Sequence, residues 1–210
     1  MDGYQIKINN MKILFLDHDG VICLPEQWGN RVKKQKSFIK SSKRWKRPTL
    51  FPVSCIFDDF DGKAVSVLNE IIQTTGCEIV VSSDWREHCS LEDMGKYYEL
   101  QGIIKKPIGY TDVYDLIELK EPIFPIIKEH DRYGPSTEFQ RVYEISKYIK
   151  DHPEITRWAV VDDMNLSFEG PNRNNNSRLL WGLKSFVKAD EATGLKDEDV
   201  KEAIINYLKE

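Results

Sequence analysis

Carboxylates crowd the ends of two apolar runs in this chain. Asp17 closes the run Lys12–Asp17 (KILFLD), with His18, Asp19 and Gly20 behind it, and Asp162-Asp163 follows Arg157–Val161 (RWAVV). A third run, Glu78–Val81 (EIVV), ends in Ser82-Ser83-Asp84. Carboxylates brought together from distant segments repel one another unless a cation sits among them. Oxygen donors alone suit a hard ion, and Mg2+ is the ion expected. Asp17, Asp19, Asp162 and Asp163 therefore read as a Mg2+ site facing an anion pocket lined with hydroxyls.

For these groups to meet, the runs that carry them must end on one edge of one sheet. Short, continuously apolar runs mark strands buried on both faces, as in a parallel sheet. Helices are expected between them: Ala64–Thr75, closed by Gly76; Leu91–Leu100, stopped near Gly102; Phe139–Ile149, with Val142, Ile145, Tyr148 and Ile149 on one face; and Asp197–Leu208. Lys184–Val187 is a candidate fourth strand and Asn172–Ser177 a polar loop. The stretch from Pro107 to Pro135, broken by prolines and glycines, reads as insertion or loop. Alternating strands and helices predict an α/β, doubly wound, mainly parallel Rossmann-like sheet, in which ligands bind beyond the carboxyl ends of the strands.

At 210 residues, one domain with a substantial insertion is expected. With 40% hydrophobic and 30% charged residues the composition is that of a soluble globular protein. No apolar run approaches the ~20 residues that span a bilayer. The opening MDGYQIKINN lacks a signal-peptide pattern, so a cytoplasmic protein with no membrane partner is expected. Cys23, Cys55, Cys77 and Cys89 lack metal-ligand spacing and read as reduced thiols. The net charge of −4 is unevenly spread: Arg31 to Arg47 holds nine basic residues and no acidic one, which leaves the rest of the chain at −13.

The run LDHDGVI resembles the first motif of the haloacid dehalogenase (HAD) superfamily, D-x-D-G-[VT]. That resemblance implies that Asp17 is a nucleophile forming an aspartyl-phosphate, and that Asp19 protonates the leaving oxygen and later activates water. Ser82 would be the hydroxyl of the second motif, Arg141 the cation of the third, and Asp162 with Asp163 the acidic pair of the fourth. Ser83 competes with Ser82, and Lys147 and Arg132 compete with Arg141. Which of Asp162 and Asp163 touches the metal stays open. Arg86 is a candidate for the substrate phosphate, or else an ion-pair partner of Asp84 or Glu87. His18 and His88 read as packing residues. The run VVSSDWR, the segment RVYEISKYI, the Asp-Asp pair and the late Thr-Gly-Leu resemble one branch more closely: phosphatase-like domains associated with RNA repair, relatives of the phosphatase half of phage polynucleotide kinase.

The basic segment lies where this superfamily inserts a cap, here placed at 24–60, and 112–136 is a second departure. Trp28, Phe38 and Trp45 lie among or beside its charges. Basic side chains interleaved with aromatic ones suit single-stranded nucleic acid, with Lys33, Lys34, Lys36, Lys43, Arg44, Lys46 and Arg47 as the binding candidates; a solvated cap packing its aromatics onto the body is the alternative. The function expected is a Mg2+-dependent phosphomonoesterase removing a terminal 3′-phosphate from RNA or DNA. A phosphatase of nucleotides or other small esters, and a nucleic-acid-binding module on a vestigial phosphatase fold, are the rivals.

Overall fold

The structure, a computed structural model, describes residues 10–41, 51–114, 137–167 and 183–209. Five strands form one parallel sheet: β1 (Met11–Leu16), β2 (Glu78–Val81), β3 (Gly109–Tyr110), β4 (Ile155–Asp162) and β5 (Phe186–Lys188), in the order β3-β2-β1-β4-β5. The helices are α1 (Asn30–Ser41), α2 (Gly62–Thr75), α3 (Leu91–Leu100), α4 (Thr137–Asp151) and α5 (Glu198–Lys209).

Alternation along β1 divides the core. Leu14 and Leu16 face a cluster with Leu68 and Ile71 of α2, Tyr97 and Tyr98 of α3, and Ile204 and Leu208 of α5. Ile13 and Phe15 point the other way, onto Val142 and Ile145 of α4. Each such fully buried side chain contributes about 1.5–3 kcal/mol relative to exposure. Covered on both faces, β1 is apolar and buried from Ile13 to Leu16, and the carboxylates begin only where it ends.

The boundaries follow local chemistry. The Asp61 side chain accepts from the N–H groups of Lys63 and Ala64, so α2 opens two residues before the predicted start. Gly76, at φ +72°, closes it.

β3 overturns the expectation of a loop at that point. Ile108 N–H donates to Ile79 O and Thr111 N–H to Val81 O, which lays Gly109 and Tyr110 along the sheet edge. Two residues carry no readable periodicity. Gly109 instead gives a neighbour room: a Cβ there would lie 2.9 Å from the Tyr148 hydroxyl.

Between β1 and α2, the segment expected as a cap contains α1, whose residues are all at least partly exposed. Lys34 ties this helix to the body through Asp59 at 2.8 Å and lies over the Tyr97 ring. Lys43, Arg44, Trp45, Lys46 and Arg47 fall outside the described residues, as do Arg132, the loop Asn172–Ser177 and nearly all of 112–136. The four cysteines are free thiols, three of them buried.

Candidate active site

Register makes the site. Leu16 of β1 lies level with Val81 of β2 and Val161 of β4. The next residues, Asp17, Ser82 and Asp162, therefore reach the carboxyl edge side by side. The chain runs from β1 to β2 and β3 on one side, then to β4 and β5 on the other. This is the switch point at which such sheets open a crevice.

Carboxylate oxygens of Asp17, Asp162 and Asp163 all lie within 4.8 Å of one another. Burial, then Asp162, pushes the Asp17 pKa well above the ordinary range, with Arg141 opposing. Burial likewise raises Asp162 to about 6 against the pull of Arg141. Asp163, half-buried, is raised chiefly by burial. The cluster is short of positive charge, and its donors are all carboxylate oxygens, so it fits a hard divalent cation.

Gly20 admits Asp163 to this cluster. Its φ is +67°, and a Cβ there would overlap the Asp163 carboxylate. The turn is tightened by Val21, Ile22 and Cys23, whose N–H groups all donate to His18 O.

Asp19, expected among the metal ligands, has its carboxylate outside this triad; Oδ2 accepts from Trp85 Nε1 at 2.8 Å. Its side chain is exposed, yet the protein around the carboxyl displaces enough water to raise its pKa. His18, between Asp17 and Asp19 in the chain, is fully buried and packs on Phe60, Trp85 and Tyr98. Its Nε2 is 2.7 Å from the Tyr98 hydroxyl, and burial, aided by Arg141, pushes its pKa down to about 3, so it stays neutral.

Ser82 and Ser83 part company. The Ser82 hydroxyl is buried and has no partner among the described residues. Ser83 Oγ accepts from Trp85 N–H and caps the short turn Asp84–Glu87.

Arg141, on α4, enters the cluster from the opposite face. Nη1 lies 3.2 Å from both Asp17 Oδ1 and Asp162 Oδ2 and also donates to Ser82 O, while Nη2 holds Asp84 at 2.7 Å. Burial works against its charge, but Asp17, Asp162, Asp84 and Glu144 outweigh that and raise its pKa. The rival Lys147 pairs with Asp151 at the surface. Arg86 is buried too, with Nη2 on Glu144 at 2.7 Å and Nη1 3.8 Å from Asp84. Its Nε and Nη1 have no hydrogen-bond partner among the described residues.

Sequence reading gives no role to Trp85 or Glu144. The available signal for Glu144 is a carboxylate beside the apolar stripe of α4, three residues past Arg141. For Trp85 it is its place in the run VVSSDWR, three residues past Ser82.

A family model described as the HAD domain in Swiss Army Knife RNA repair proteins matches residues 13–200. The chain belongs to that family. This HAD domain is accordingly a HAD-type phosphatase, associated with RNA repair, and its parallel sheet is the fold the family implies. HAD domains generally use Mg2+, and the acidic triad, two of its members buried, is where this one offers oxygen ligands. No curated protein and no solved structure matches it. Among the described residues, no helix is long and apolar enough to cross a membrane.

Proposed function

We propose that this HAD domain is a Mg2+-dependent phosphomonoesterase that removes a terminal 3′-phosphate from nucleic acid through an aspartyl-phosphate on Asp17. The observation that carries the reading is the convergence of Asp17, Asp162 and Asp163 with the Arg141 guanidinium and the unpartnered Ser82 hydroxyl.

Mg2+ held by Asp17, Asp162 and Asp163 would supply charge to offset that of the phosphoryl oxygens. Arg141 opposes the burial that raises the Asp17 pKa, and together with the cation's charge it would favour the ionised carboxylate that attacks phosphorus. Its guanidinium and the Ser82 hydroxyl would donate to the transferring group. As the bond from phosphorus to the leaving oxygen breaks, Asp19 gives that oxygen its proton. Asp19 then takes a proton from water, whose oxygen attacks phosphorus and frees Asp17. A raised pKa suits the first of these duties.

The choice of a polymer as substrate draws on the surface of α1. Arg31, Lys33, Lys36 and Lys40 are exposed, and Trp28, 48% exposed, stands just before them. Such a surface suits a phosphate backbone and its bases. Lys34, committed to Asp59, serves attachment of the helix instead.

The test is phosphate release, with and without Mg2+, from a 3′-phosphorylated oligonucleotide beside nucleotides and sugar phosphates. Metal-dependent release that favours the oligonucleotide is expected. Release from small esters alone would retain the phosphatase and remove the nucleic acid. No release from any ester would remove the mechanism.

A further inference from the structure

The duty assigned to Asp19 requires its carboxyl to be aimed, because proton transfer works only within hydrogen-bond reach of the leaving oxygen. Unlike Asp17 and Asp162, Asp19 is exposed, and the guanidinium of Arg141 pairs with those two rather than with it. Trp85 Nε1–H donates to Oδ2 at 2.8 Å.

Trp85 has little freedom of its own. It is 7% exposed and lies parallel to Phe57, with centroids 4.5 Å apart and planes 2° off, and near-parallel to Phe60 at 5.4 Å and 17°. His18 meets it edge-on at 4.8 Å. Its backbone N–H is fixed by Ser83 Oγ. Offset-stacked and edge-to-face contacts of this kind hold a ring's orientation beyond what area burial alone gives. They place the one polar atom of the indole against the carboxylate of the site that most needs a fixed direction.

We infer that Trp85 is a positioning residue, its indole N–H fixing the Asp19 carboxyl so that the other oxygen faces the leaving group; this rests on Asp19 acting as the acid. An indole N–H only donates, so Trp85 fixes the direction of the Asp19 carboxyl and takes no part in the proton transfer itself. Phe57 and Phe60 belong to the end of the 24–60 segment. The stack therefore ties that segment to the aim of the acid.

The measurement compares Trp85→Phe, which keeps a ring for the stack and loses the N–H, with wild type on two small esters in Mg2+ buffer. Benzyl phosphate has a poor leaving oxygen that needs a proton; p-nitrophenyl phosphate has one that leaves with little help. The ratio of kcat/KM on benzyl to kcat/KM on p-nitrophenyl phosphate, which reads phosphoryl transfer to Asp17 and not the water attack common to both esters, should fall about 10-fold or more, part of the 10²–10⁴-fold that acid catalysis supplies. An equal loss on both esters, or none, would overturn the inference. Asp19→Asn is the control for the underlying reading: a larger fall in the same ratio supports the acid, and an unchanged ratio removes it whatever Trp85→Phe does. Should Trp85→Phe fail to fold, Phe57→Leu is read the same way. A selective loss on benzyl phosphate supports the inference, and an even loss overturns it.

Discussion

Asp17 and Asp162 show how this site trades stability for charge. Both carboxylates are buried beside each other, and the guanidinium of Arg141 does not fully compensate either. The sign of the consequence follows from linkage. Asp162 has a folded pKa of about 6 against an ordinary 3.8, so between those values the native state holds more protons than the unfolded state. Stability from this group is full below the lower value and is lost as pH rises through about 6; Asp17 acts in the same direction. In EDTA, Asp162→Asn, whose amide oxygen can still accept from Met164 N–H, should gain thermal stability over wild type as pH rises from about 4.5 to 7.5. Thermal unfolding at the two pH values checks this, and a constant offset would contradict it. Adding Mg2+ near pH 7.5 should raise the wild-type midpoint and raise the variant's less. Asp17→Asn should abolish turnover while leaving oligonucleotide binding nearly intact, as read by phosphate release and fluorescence anisotropy. Hydrolysis at the wild-type rate would remove the covalent mechanism.

At the scale of elements, α4 both covers one face of the sheet and sends charged side chains into the site. Val142 and Ile145 pack on Ile13 and Phe15, while Arg141 and Glu144 turn toward the strand ends. Glu144 grips Arg86, both in the interior, and Asp84 links Arg86 to Arg141. Removing one partner of a buried pair strands the other, at a cost of about 3–5 kcal/mol. Glu144→Ala should be destabilised by that much in urea unfolding, and Glu144→Gln, which keeps a hydrogen-bonding oxygen, by less. A change within ~0.5 kcal/mol would mean that Arg86 finds water instead. The loop after β1 is constrained as tightly, since Asp163 leaves no room for a side chain at Gly20.

Across the whole molecule, a basic helix stands on an acidic body, and the strand order sets the reacting groups at the central crevice. Reversing charge at Lys33 and Lys36 together should lower kcat/KM on an oligonucleotide more than on p-nitrophenyl phosphate. It should also flatten the salt dependence of binding, by about 0.7 in log-log slope for each single-strand phosphate that the helix no longer neutralises. Equal reductions on both substrates would make α1 a structural cap. β1, β2 and β4, the helices α2 to α5 and the carboxylates that converge were legible in the sequence, because buried parallel strands are apolar to their ends and turn polar where the crevice opens. Local pattern could not show β3, two residues long and defined only by its partner β2. Nor could it choose Arg141 over Lys147, since both lie on α4 and only packing decides which turns inward. The turn of Asp19 toward Trp85 and the pairing of Arg86 with Glu144 join residues 66 and 58 positions apart. Sequence by itself determined which residue types stand at the strand ends; register and helix packing, which depend on contacts distant along the chain, decided which of them meet.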